Sequence, residues 1–368
     1  MVEFVNKYFI IVDKKLKKKV EIMDKIKSYK NICIKIGFVM TIFFISGIIC
    51  STLINRIGFQ SETTEGYILI LTFSAIFLYF IPITAAIFIL RGENQKKFPA
   101  LYQKPPRLIK AIGNFPTVYG LGQMTNLIAL LIAWLVTKFV QNISTAEQQE
   151  TFERSFGTMN SLIPPNIVCG LVLFVYMVFA AAIFEELFCR GIIFSALKPY
   201  GNGFAIIISG FLFGIMHGNF QQFFYAFVLG IVFAYITLQT GSILVSTILH
   251  ALFNSIAGII MLFISTETIS NYLFNKSQSV HEESTMVLAV FGMFIALFFG
   301  LIIAGIALAI KKLTRLKSYK AENLFTEISA KKKTLMFFTS IPVIIMTLLT
   351  VDRFAGGIIS SLIAGILS

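Results

Sequence analysis

NIVCGLVLFVYMVFAAAIFEELF, residues 166–188, holds no charged side chain before Glu185. As a helix it is long enough to cross a hydrocarbon layer of roughly 30 Å, which takes about 20 apolar residues. Comparable charge-poor runs occupy residues 36–54, 67–90, 118–140, 203–218, 221–238, 242–264 and 286–310, a ninth covers 334–350, and the apolar tail 354–367 is open between a further span and an interfacial segment. The 368-residue chain is 57% hydrophobic and only 13% charged, against about 25% charged in soluble domains. A soluble globular domain is excluded, and the expected fold is an all-α polytopic transmembrane helix bundle of about 8 to 10 spans.

Charge sets the orientation. Of 31 Lys and Arg, nine lie in residues 1–30, six in 91–114 and eight in 311–333, whereas the alternate loops 55–66, 141–165 and 265–285 hold one each. Basic residues stay on the cytoplasmic side, so the N-terminus is expected inside. The net charge of +13 on so apolar a chain points to anionic lipids on the cytoplasmic face as a partner, and not to nucleic acid. Four parts follow from this layout: a basic interfacial segment 1–30, three N-terminal spans within 31–165, an almost loop-free core 166–264, and C-terminal spans with a basic cytoplasmic loop in 265–368. Cys33, Cys50, Cys169 and Cys189 lie in or beside spans without CxxC spacing and read as small apolar packers.

The eighteen carboxylates locate the chemistry. Seven lie in basic cytoplasmic segments, eight in outer loops, and Asp352 follows the ninth run; only Glu185 and Glu186 remain within a span. An acidic group there costs about 2.5 to 3.5 kcal/mol without water or a partner. Arg190, four residues after Glu186, lies on the same helical face and can pair with it. His217 and His250 also fall inside apolar runs, whereas His281 sits in a polar outer loop. Pro199, Gly201, Asn202 and Gly203 make a turn, with Glu185 and His217 each 16 positions from Gly201. A helical hairpin about that turn sets the two level, roughly 20 to 24 Å from it. His250 comes nine residues after Gly241, and Asn254 follows it by one turn on the same face.

A carboxylate beside a neutral imidazole can deprotonate water, while a second His and an Asn amide can donate to the oxygen of a tetrahedral intermediate. That is equipment for peptide-bond hydrolysis. Glutamate and two histidines could equally hold Zn²⁺ with an open position, and the spacing does not choose between the two arrangements. Other intramembrane protease chemistries lack their residues: there is no HExxH, no pair of membrane aspartates, and only Ser209 and Ser246 as faint serine candidates.

Glu185-Glu186-Leu187-Phe188-Cys189-Arg190 resembles the EExxxR signature, Phe213 to His217 the FxxxH signature, and His250 to Asn254 the HxxxN signature of the CPBP family. These are the CAAX-protease and bacteriocin-processing membrane endopeptidases, also called Abi proteins. The resemblance covers about residues 166–264 and no flank. It implies a helix bundle with a cytoplasm-facing catalytic cavity, in which Glu185 activates water with His217 as its partner. His250 and Asn254 then stabilise the oxyanion, Glu186 and Arg190 support the site, and Phe213 touches substrate. Family members are described both as metal-dependent and as metal-free, and a Zn²⁺ ion would take Glu186, His217 and His250.

The substrate implied is a membrane-associated peptide or protein. The Ile, Lys and Phe richness resembles a low-GC bacterium, where the family is linked to bacteriocin maturation, self-immunity and envelope regulation. Two other functions fit membrane Glu and His: a non-proteolytic scaffold of the same fold, and a proton-coupled transporter. The transporter requires two related halves, whereas the polar residues here cluster in one stretch.

Overall fold

The computed structural model describes residues 2–91, 103–105, 107–141, 163–266, 282–313 and 328–354, and the regular structure among them is entirely helical. Ten helices carry the fold: α1 Val2–Ile57, α2 Thr64–Ile89, α3 Phe115–Gln141, α4 Ile167–Tyr200, α5 Asn202–Met216, α6 Phe220–Thr240, α7 Ile243–Ile264, α8 Glu282–Leu313, α9 Ala330–Phe338 and α10 Ile341–Phe354. Seven helices among the described residues are long and apolar enough to span a bilayer, or eight if the bent pair α9 and α10 is one span. The protein is therefore an all-α polytopic bundle. The tail 354–367 and His281 lie, for all but Phe354, outside the described residues.

α1 runs unbroken through 56 residues, about 84 Å at 1.5 Å per residue, and so joins the basic N-terminal segment to the first apolar run. Its length far exceeds the bilayer, so the exposed, lysine-rich turns from Asp13 to Val20 extend the first span beyond it. The run 203–218 forms a 15-residue helix, α5, about 22 Å long and largely buried: Ala205 and Leu212 are fully buried and Phe213 nearly so, while Ile207 is exposed. The ninth run, 334–350, is broken, with α9 and α10 meeting at 71°. Pro342 opens α10; it lacks an N–H, and its ring would clash with the carbonyl four residues earlier in a continuous helix.

Two glycines make the turns about α5. Gly201 (φ 127°) joins α4 to α5 and Gly218 (φ 68°) joins α5 to α6, backbone conformations that residues with a Cβ rarely adopt. Asn219 then caps α6, its Oδ1 accepting from the Gln222 amide at 2.8 Å. α5 and α6 pack backbone to backbone: a Cβ on Gly230 would stand 2.7 Å from the Gly210 Cα, the close approach that small residues permit between membrane helices. Gly230→Ala is expected to cost about 1 to 3 kcal/mol and to lower the melting temperature in detergent, while Gly292→Ala, with open space around it, leaves it unchanged or slightly higher.

The central core joins α1, α2, α4, α5, α6 and the α9–α10 pair, a second cluster unites α3, α6, α7 and α8, and a third lies among α2, α4 and α7. All four cysteines are buried and none is in a disulfide. One lysine of the basic segment 311–333 is not solvated: Lys333 is 3% exposed, and its Nζ donates to the Tyr200 carbonyl at 2.7 Å at the end of α4. Tyr29 in α1 donates to the Lys333 carbonyl at 2.7 Å, so three helices meet there. A cation on the last carbonyls of a helix also complements its dipole. Lys333→Met should cost about 1.5 to 3 kcal/mol, the range for a hydrogen bond to a charged group, measurable as earlier unfolding in detergent.

Candidate active site

The site begins in α4. Glu185 and Glu186 lie on five residues of ordinary helix, Ala182–Glu186, between two wider π-helical stretches, Tyr176–Ala181 and Leu187–Phe194. Wide turns of this kind often mark functional positions because they re-aim side chains. Successive residues of a helix point about 100° apart, and the two glutamates accordingly go separate ways. Glu185 lines a cavity of about 370 Å³ together with His217, His250 and Asn254. Glu186 is fully buried behind it.

Glu186 anchors a charged cluster. Its Oε1 lies 2.9 Å from Arg190 Nη1 and 3.2 Å from His250 Nδ1. Arg190 is also fully buried; its Nη2 donates to the Gly230 carbonyl at 3.1 Å, and its guanidinium lies 4.3 Å from the Phe213 ring centroid. The carboxylate can only accept, so His250 Nδ1 carries a hydrogen and Nε2 is the atom left for chemistry. That Nε2 stands 3.9 Å from Glu185 Oε2. Ring contacts fix the imidazole, with Phe233 stacked at 5.3 Å and Phe213 edge-on at 5.6 Å.

His217 ends α5, and its Nδ1 lies 2.9 Å from the Phe213 carbonyl. A carbonyl only accepts, so here too Nδ1 is the donor and Nε2 keeps its lone pair. Asn254, one turn past His250 in α7, donates through Nδ2 to the Met177 carbonyl at 2.9 Å, within the first π-helical stretch of α4. The amide has a second N–H, and Asn254 lines the cavity.

The structure thus gathers Glu185, His217, His250 and Asn254 at one cavity and sets Glu186 and Arg190 outside it, Glu186 touching His250 and Arg190 touching Glu186. Phe213 lines the cavity but is 1% exposed, its ring occupied by Arg190 and the two imidazoles. Of the residues a Zn²⁺ ion would take, Glu186 is engaged by Arg190 Nη1 and His250 Nδ1. Among the described residues no three His, Cys, Asp or Glu side chains stand close enough to hold a metal ion.

A family model covers this same stretch. Residues 167–256 match type II CAAX prenyl endopeptidase Rce1-like. The Rce1-like segment takes in α4 to the middle of α7 and with them all three motifs, in agreement with the CPBP resemblance. The chain is thus an integral membrane protein, part of which is similar to a membrane protease family. No curated protein and no solved structure matches the chain.

The sequence reading left out Tyr79, Tyr176, Gln222 and Tyr225, which line the cavity beside the Rce1-like motifs. Tyr79 donates to Glu185 Oε1 at 3.1 Å, and the Tyr225 ring lies 6.2 Å from that of His217. Tyrosine carries no charge near neutral pH and so does not stand out in an apolar run, although a hydroxyl in mid-span needs a partner as surely as a charge does.

Proposed function

We propose that the protein is an intramembrane endopeptidase in which Glu185 activates the water that hydrolyses a peptide bond. The observation that carries this is one cavity bounded by Glu185, His217, His250 and Asn254. Glu185 takes a proton from water as its oxygen bonds to the scissile carbonyl carbon. The remaining N–H of Asn254 donates to the oxyanion. His250, its ring held at Nδ1 by Glu186, presents Nε2 to the same cavity and, when that nitrogen carries a proton, is a second donor to the oxyanion. The C–N bond then breaks, the proton passes from Glu185 to the leaving nitrogen, and His217 Nε2 is a second base beside the same cavity. No step passes through a metal, since the donor set does not converge on one.

The substrate is a membrane-associated peptide or protein whose apolar segment enters between Leu78, Leu173, Met177 and Phe253, which line the cavity. The residue composition and the CPBP resemblance support a bacterial cell membrane as its place, with peptide or bacteriocin processing, self-immunity or envelope regulation as its role. Purified protein incubated with a panel of membrane-tethered peptides tests the activity. Wild type should release fragments, and His217→Ala should cut the rate by roughly 100-fold or more at equal protein abundance. Equal rates from the two proteins would remove His217 from the mechanism, and no cleavage by either would remove the peptidase.

A further inference from the structure

Glu185 is held by a residue that the Rce1-like segment does not contain. We infer that Tyr79, in α2, is a positioning residue that fixes which oxygen of Glu185 faces the cavity; this rests on the peptidase mechanism above. Tyr79 lies in the π-helical stretch Ile76–Phe80 and is 8% exposed. Its hydroxyl is 3.1 Å from Glu185 Oε1; the phenol donates and the carboxylate accepts. With Oε1 engaged, Oε2 is left towards His250 Nε2, 3.9 Å away.

The donor is itself immobilised. The Tyr79 ring stacks on Phe184 at 5.5 Å and 20°, and meets Tyr176 at 5.9 Å. Phe184 immediately precedes Glu185, so one ring grips both the backbone neighbour and the carboxylate. The wide turn that carries Tyr79 is pinned in turn to α1, where Ser46 Oγ donates to the Phe77 carbonyl. A glutamate has three rotatable side-chain bonds, and holding a general base in its productive rotamer is where a remote contact gains rate. A hydroxyl that needed only a partner for burial could take any main-chain carbonyl; this one takes the carboxylate on the cavity wall.

Tyr79→Phe keeps the ring and removes the donor. In purified protein kcat should fall roughly 10-fold or more, the scale of one hydrogen bond to a charged group, with KM within about twofold. Infrared difference spectra give a readout independent of cleavage: the carboxyl band that Glu185→Gln abolishes should shift in Tyr79→Phe. Tyr79→Leu, which also removes the stacking, should show the same band shift together with a lower melting temperature. A Tyr79→Phe protein with the wild-type band position overturns the inference, whatever its melting temperature and whether or not kcat falls. Should wild type cleave none of the peptides, the peptidase assignment fails while the band still reports whether Tyr79 holds Glu185.

Discussion

Glu185→Gln is expected to slow cleavage of a membrane-tethered peptide by roughly 100- to 10,000-fold, the contribution of a positioned general base, with the melting temperature in detergent close to wild type. The substitution preserves the shape of the side chain, its carbonyl oxygen still accepts from Tyr79, and its amide sits on a wall of the cavity where no fully buried ion pair depends on it. Glu185 approaches His250 Nε2 at 3.9 Å, too long for a strong hydrogen bond, so little folding energy is at risk. A large kinetic loss at constant stability separates a catalytic carboxylate from a structural one. Cleavage within twofold of wild type would refute the mechanism. A loss of melting temperature in step with the loss of rate would assign Glu185 to the fold.

Much of this site was legible because ionisable groups are so costly in apolar helices that any which persist advertise themselves. Glu185, Glu186, Arg190, His217 and His250 stood out on that ground alone, and the i,i+4 pairing of Glu186 with Arg190 is seen at 2.9 Å. The hairpin about Gly201 followed from its turn residues, and its φ of 127° is the backbone reason. What stayed hidden depends on contacts between distant segments. Nothing local to Tyr79 names Glu185, 106 residues away, as its partner. Spacing also could not distribute the two glutamates between the cavity and the core, since the wide turns of α4 reset the helical register around them. Lys333 illustrates the same limit: its charge assigns it to the cytoplasmic side, but only the packing of α9 against Tyr200 puts it inside the protein.

Arg190→Met should damage the protein more than any substitution on the cavity wall. Arg190 and Glu186 are both fully buried, and removing one member of such a pair leaves an uncompensated charge worth about 3 to 5 kcal/mol. It also deletes the bond to the Gly230 carbonyl and the guanidinium face against Phe213. The expected result is low abundance in membranes and early unfolding in detergent. Replacing both partners, Arg190→Met with Glu186→Gln, removes the charge problem together with its solution, because well-packed neutral residues often substitute for a buried ion pair at little cost. Abundance and melting temperature should then return most of the way. Cleavage should not, because His250 Nδ1 is left with a neutral amide where it had a carboxylate, a weaker acceptor for the N–H that orients the ring. A double variant that regains stability and full activity together would show that Glu186 and Arg190 serve folding alone; one that regains neither would place their role in packing around Phe213 and not in charge.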